Sequence, residues 1–244
     1  ALSEGWLDNR LLDMVAGDVR RLLLPDAPVH IHVAEQQREV EACLRWSGRR
    51  PVADLLDRVA VDHRWCLVHA THVDRAEREA MARTCAVVGL CPITEANLGD
   101  GLFPAAEWRD LGGRFGIGSD SNIRIDAAEE LRTLEYGQRL LRQQRNVLAK
   151  AGGSTGESLF RAAVDGGAQA LAAPSLGIAI GARANLVGLR ADIAALNGDD
   201  LLDRWIFVHG RAAIKDVWCA GRQIVQQGRH VLRDIVAARY AHAC

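Results

Sequence analysis

His30-Ile31-His32-Val33-Ala34-Glu35 is the stretch on which the fold turns. It follows the turn-forming Pro25-Asp26, and residues 28–33 are apolar and β-branched enough to read as a strand. Two imidazoles stand on that strand. Glu35 lies three residues past His32, where the strand ends and turns. A surface strand with two solvated histidines is the plainer account. A hydrolytic metal centre with an acid/base carboxylate beside it accounts for the combination itself.

Outward from this stretch the same unit repeats. Residues 35–46 place Val40, Cys43 and Leu44 at helical spacing, and Gly48 supplies a stop. Residues 52–59 predict a second short helix. Trp65-Cys66-Leu67-Val68-His69 is the next strand, and residues 74–84 a charged helix with Asp74 placed to cap it. Residues 86–91 form a third strand, and a Gly- and Asn-bearing loop follows at 92–103. Residues 114–118 form a fourth, ending in Ser119-Asp120-Ser121-Asn122. A long amphipathic helix is predicted at 126–144, a small Gly-rich loop at 149–156 and another helix at 157–171. Strands alternating with helices imply a parallel sheet. Each His- or Asp-bearing motif falls at the C-terminal end of its strand, where (β/α) barrels gather their active sites.

After Gly177 the pattern changes. Residues 184–189, 192–196, 214–220 and 223–225 read as short strands divided by Gly, Asn and Asp. The expected division is an α/β unit over 1–175, a partial barrel, and a small β-rich unit over 176–244.

Composition narrows the function classes. With 244 residues, 49% hydrophobic and 25% charged, the chain has room for a sizeable core. A net charge of −1 gives no electrostatic case for a nucleic-acid or membrane partner. The cysteines Cys43, Cys66, Cys85, Cys91, Cys219 and Cys244 form no C-x-x-C pair and read as reduced core thiols of a cytoplasmic protein. The sequence shows no signal-peptide pattern and no apolar run of bilayer length.

Four strand ends supply the polar set: His30, His32 and Glu35; His69 and His72; Glu95, Asn97 and Asp100; and Asp120. A hydrolytic zinc site draws on neutral imidazoles and a carboxylate, a second imidazole to hold water in line, and a carboxylate to carry the proton to the leaving nitrogen. Taken singly, each residue has a plainer reading. Asp120 could cap the helix that follows, His63 and His72 read as structural, and Glu95, Asn97 and Asp100 could be a polar turn.

The joint pattern resembles the amidohydrolase superfamily, in its cytosine-deaminase-like branch and its formimidoylglutamate deiminase family. The resemblance rests on the opening stretch with Gln36-Gln37, on Ser47-Gly48-Arg49-Arg50-Pro51-Val52, on Trp65-Cys66-Leu67-Val68-His69-Ala70-Thr71-His72, on Glu95-Ala96-Asn97-Leu98-Gly99-Asp100-Gly101 and on Gly116-Ile117-Gly118-Ser119-Asp120-Ser121. It implies one zinc ion at the mouth of a (β/α)₈ barrel, with His32 as the fifth-strand ligand and Asp120 as the eighth-strand ligand. It implies Glu35 as proton shuttle, His69 as the group orienting the attacking water, and Asp120 as a further proton acceptor. Glu95, Asn97 and Asp100 are the candidates for holding the small-molecule substrate. The implied reaction is hydrolysis of the formimino C=N of N-formimidoyl-L-glutamate to N-formyl-L-glutamate and ammonia, in histidine degradation. The tail, with Ala191-Asp192 and Val217-Trp218-Cys219-Ala220-Gly221-Arg222, resembles the small β-sandwich beside such barrels.

The chain also departs from that family. Its first-strand His-x-His is not matched, since the pair His30/His32 sits on the strand matching the fifth. Residues 1–10 do not match the fourth-strand motif, so Arg10 takes no substrate role, and Asn122 stands where the family carries His. The expectation is the C-terminal half of a barrel, silent as an isolated chain, or paired with the missing N-terminal half or in a homo-oligomer. Another deaminase of the branch and a non-catalytic half-barrel remnant are the alternatives.

Overall fold

The computed structural model describes residues 26–173, 177–190, 198 and 200–243. Arg10, the strand expected at 192–196, the Ala191-Asp192 pair and Cys244 lie outside the described residues.

The first strand, β1 (Val29–Val33), alternates in exposure, with His30 and His32 on the open face and Val33 buried. It pairs in parallel with β2 (Trp65–His69), which pairs with β3 (Val87–Leu90), which pairs with β4 (Arg114–Ile117). The register sets Val33 beside His69, so the chemistry-bearing ends of β1 and β2 finish together. Strands buried on both faces read as continuous apolar runs. That is why β2 holds Trp65, Cys66 and Leu67 in succession.

Helices close the connections. After β1 come α1 (Gln37–Ser47), ended by Gly48 at φ 72°, and α2 (Pro51–Arg58). After β2 comes α3 (Arg75–Thr84), opened by a capping box in which the Asp74 side chain takes the Glu77 amide and Glu77 takes the Asp74 amide. After β4 come α6 (Ala127–Arg142), capped by Asp126, and α7 (Thr155–Ala170), capped by Ser154. The core runs through Val33, Leu55, Trp65, Leu67, Val88, Leu90, Trp108, Phe115, Leu131 and Leu159. Where α7 crosses β4 the backbones meet directly. A Cβ on Gly116 would stand 3.2 Å from the Gly167 Cα, and one on Gly166 would collide with the Phe115 carbonyl.

Three expectations change. The loop expected at 92–103 contains a helix, α4 (Pro92–Leu98), with Pro at its first position and Gly99 at φ 71° closing it. A further short helix, α5 (Ala105–Asp110), precedes β4. The β-sandwich resolves, among the described residues, into one antiparallel sheet of β5 (Leu186–Leu189), β6 (Ile214–Cys219), β7 (Arg222–Gln226) and β8 (Arg229–His230). That tail also holds helical segments: α8 (Leu201–Arg204), a π turn at Trp205–His209, a 3₁₀ turn at Gly210–Ala213, and the exposed α9 (Arg233–Ala243). Its pattern of small and polar residues hid short helices behind the strand signal. Among the described residues the cysteines are free, and of these only Cys66 and Cys91 are core thiols. Cys85 and Cys219 are exposed and Cys43 is half-buried. Among the described residues no helix is long and apolar enough to cross a membrane.

Candidate active site

The C-terminal ends of β1, β2 and β4 share an unusual backbone. Ala34, His69, Ala70 and Asp120 all adopt positive φ, between 50° and 66°. Non-glycine residues pay about 1–3 kcal/mol for that conformation, and it persists where surrounding contacts enforce it. Here it marks the positions that turn Glu35, His69 and Asp120 toward one point.

His69 is the centre of that point and is fully buried. Its Nδ1 stands 3.2 Å from Glu95 Oε1, and its Nε2 stands 3.2 Å from Nδ1 of His32. Glu35 Oε1 approaches the same Nε2 at 3.6 Å and Asp120 Oδ2 at 3.8 Å. Burial works against a charged His69 ring, but the hydrogen bond it donates to Glu95 and the charges of Glu35, Glu95 and Asp120 outweigh it and raise the pKa. A carboxylate at Nδ1 fixes the tautomer with the proton there and leaves Nε2 facing the cluster.

Four nitrogen or oxygen ligands about 2.1 Å from a zinc ion stand about 3.4 Å apart. The spacings around His69 Nε2, from 3.2 to 3.8 Å, bring His32, Glu35 and Asp120 to one point on that same scale. His32, Glu35 and His69 each offer one ligand atom within 4.8 Å of the others. Asp120 meets this group through His69, from the β4 side. The imidazole of His32 and the carboxylate of Asp120 are donor types suited to zinc, with His69 and Glu35 beside them.

The remaining candidates separate. Glu95 is buried beneath His69 and also accepts the Cys91 amide at 3.0 Å, so it faces the ring and its own helix start. Asp100 is buried and takes the Gln36 side-chain amide at 2.9 Å. Asn97 is exposed on α4. His30 donates from Nε2 to the Ala170 carbonyl at 2.7 Å, at the end of α7, and His72 donates to the Asp100 carbonyl at 2.7 Å. Helix α6 is capped by Asp126, which leaves Asp120 free of that task. A cavity of about 400 Å³ opens at the other end of the strands, by His63, Cys85, Trp108, Arg114 and Gln169. Arg114 and Gln169 bind one another there, and the Gln169 amide donates to the His63 and Cys85 carbonyls, so the cavity holds no comparable convergence of unpaired donors.

Two contributors went unnoticed in sequence. Glu39 on α1 accepts the Ala34 amide at 2.7 Å and the Glu35 amide at 2.9 Å. Arg50 ties Glu77 at 2.7 Å and Asp74 at 3.2 Å, and donates to the His72 carbonyl. The spacing of Glu35 and Glu39, one helical turn apart, was the available signal for the first.

The family model described as "Amidohydrolase family" matches residues 24–224. The chain belongs to the amidohydrolase family. Among curated amidohydrolase relatives, it is 54% identical over 209 residues to formimidoylglutamate deiminase of Pseudomonas aeruginosa, covering 84% of this chain and 46% of that protein. The crystal structure of an amidohydrolase from Brucella melitensis superimposes with a TM-score of 0.85 at 52% identity, covering 91% of this chain and 50% of the other. An adenosine deaminase from Xanthomonas campestris, crystallised with bound zinc, gives a TM-score of 0.77 at 29% identity over 91% of this chain and 52% of its own. The chain therefore spans about half the length of the curated relatives it matches. Its four-stranded parallel sheet with flanking helices is the α/β architecture that these relatives share over the matched half.

Proposed function

We propose that this chain carries the proton-transfer part of a zinc-dependent deiminase site. The reaction is hydrolysis of the formimino C=N of N-formimidoyl-L-glutamate to N-formyl-L-glutamate and ammonia, in cytoplasmic histidine degradation. The observation that supports it most is the convergence of Glu35 and Asp120 on Nε2 of His69, beside His32, in a chain 54% identical to a formimidoylglutamate deiminase.

His32 and Asp120 would hold the zinc ion. When bound, zinc supplies Lewis acidity that makes hydroxide available near neutral pH. Asp120 accepts a proton from the attacking water. His69, held at Nδ1 by Glu95, orients that water through Nε2. Glu35 carries a proton to the imino nitrogen, so that the carbon–nitrogen bond breaks with ammonia as the leaving group. One water is consumed, and the oxygen ends in the formyl group. Three carboxylates, Glu35, Glu95 and Asp120, stand within 3.8 Å of the His69 ring nitrogens and favour a substrate whose reacting group is an amidinium cation.

In this reading β1 to β4 are the second half of a (β/α)₈ barrel, within a unit reaching to about residue 175, and residues 176–244 are part of its β-rich companion. A first-strand His-x-His pair completes the zinc ligands, and it comes from the N-terminal half of the barrel. The chain alone is then a weak zinc binder and catalytically silent. The test is ammonia release from N-formimidoyl-L-glutamate, adenosine and 5-methylthioadenosine, by the chain with and without the matching first half of the Pseudomonas aeruginosa deiminase. Release from N-formimidoyl-L-glutamate alone, and only with both parts, supports the reading. Release from the adenosine compounds, or full activity from the single chain, contradicts it.

A further inference from the structure

We propose that Glu39 is a positioning residue for Glu35: its carboxylate fills the turn at the end of β1 as a built-in anion and fixes the direction in which Glu35 points. The inference rests on the reading of Glu35 as the proton carrier, and concerns a residue one helical turn beyond it.

Four observations meet at this turn. Ala34 is fully buried and left-handed, at φ 51°. Its amide and the next, that of Glu35, are consecutive donors that β1 leaves unpaired. The Glu39 carboxylate takes both, Oε1 from Ala34 at 2.7 Å and Oε2 from Glu35 at 2.9 Å. The Glu35 side chain then stands 3.6 Å from His69 Nε2. Successive amides around a left-handed residue form a concave anion site. Here the chain supplies the anion itself, from the first turn of α1.

The arrangement settles a question that the strain raises. Ala34 has no glycine's freedom, and burial alone does not select its conformation over an extended one. Extending β1 by one more residue would reverse the side to which position 35 projects, because successive side chains alternate across a strand. Two charge-assisted hydrogen bonds donated to one carboxylate oppose that extension. The same device recurs elsewhere in the fold. Glu77 takes the Val52 and Ala53 amides at the start of α2, and Glu135 takes those of Val147 and Leu148. Glu39 alone among these holds the backbone of a residue that touches His69 Nε2.

The experiment compares wild type, Glu39→Ala and Glu39→Gln by amide hydrogen exchange and by kinetics, without and with added sodium formate. In Glu39→Ala, protection at the Ala34 and Glu35 amides falls at least tenfold while β2 and β3 keep theirs. Formate, entering the emptied turn, restores it. In Glu39→Gln one amide keeps its acceptor and the other loses protection, which keeps the test alive if the alanine variant folds poorly. In the deimination assay of the chain with its complementing half, kcat falls about 10- to 100-fold with KM within twofold, the range for removing a group that orients a site residue. Formate recovers part of kcat. Unchanged protection at both amides, or kcat within twofold of wild type in both variants, overturns the proposal. If wild type itself releases no ammonia, the deiminase reading fails, and the exchange and formate data still decide the role of Glu39.

Discussion

His69 and Glu95 form a buried pair, with Nδ1 of the ring 3.2 Å from the carboxylate oxygen, and that pair ties the site to the helix behind it. Glu95 sits on α4 and accepts the amide of Cys91 as well, so the carboxylate that orients the ring is itself held by the start of its helix.

Glu95→Ala removes both the hydrogen bond and the charge that raise the His69 pKa. In metal-free protein an NMR titration of the His69 ring is expected to give a lower pKa than wild type. With Glu95→Gln the ring keeps an acceptor for Nδ1–H, and only the charge is lost, so the fall is smaller. An unchanged titration in Glu95→Ala would show that the pair does not set the ring's state.

Glu130 on α6 gives stability a pH dependence. Burial first, and then the charges of Glu95, Glu129 and Asp126, push its pKa up to about 7 against the Ile93 amide that favours the anion. The folded value exceeds the unfolded value of 4.5, so the folded state holds this proton more tightly. The stability this contributes is complete below pH 4.5 and is lost as pH rises through about 7. Urea unfolding at pH 5 and pH 7.5 measures it. Glu130→Gln, which stays neutral and keeps an oxygen for Ile93, is expected to lose less stability over that interval than wild type. Equal losses would contradict the assignment.

Arg50 and Glu77 explain the Arg-Arg-Pro-Val stretch. Pro51 opens α2, the buried Glu77 accepts two of its first amides, and Arg50 neutralises Glu77. Arg50→Ala strands that carboxylate with its remaining amide donors and is expected to cost about 1–3 kcal/mol of stability, the range for charged hydrogen bonds. Equilibrium unfolding checks it. Arg75→Ala, which breaks an exposed ion pair with Glu79, is the comparison and should cost less.

Gly166→Ala tests the direct meeting of α7 and β4. The new methyl group would run into the Phe115 carbonyl, a backbone atom with no rotamer to change. Overpacking of this kind costs about 1–3 kcal/mol. Gly167→Ala, whose Cβ would point into open space, should be neutral or stabilising through helix propensity. Equal thermal midpoints for the two variants would mean that the close approach does not constrain the packing.

Much of the parallel sheet was legible in sequence because its strands announce themselves by apolar, β-branched runs with a polar residue at the C-terminal end, as at Val29–Val33 and Trp65–His69. Helix α3 was legible because Asp74 and Glu77 make a local capping box. Helix α4 was missed because its N-cap, Cys91, has no capping side chain. The first amide N–H of that helix, on Ile93, is taken by Glu130, 37 residues away, and no local pattern records such a partner. The same limit hid Arg50 and Glu77. Strand ends brought His32, Glu35, His69 and Asp120 into one reading. The separate duties of Glu95 and Asp100, by contrast, depend on the turn of α4 and on Gln36 across the site.

The most direct test of the central claim is ammonia release from N-formimidoyl-L-glutamate by a chimera in which this chain replaces the matching half of the Pseudomonas aeruginosa deiminase, alongside its Glu35→Gln form. A folded, zinc-bearing chimera that releases ammonia and formylglutamate is expected, with turnover falling about 100-fold or more in Glu35→Gln. A folded, zinc-bearing chimera that releases none, or a Glu35→Gln form that works as well as its parent, contradicts it.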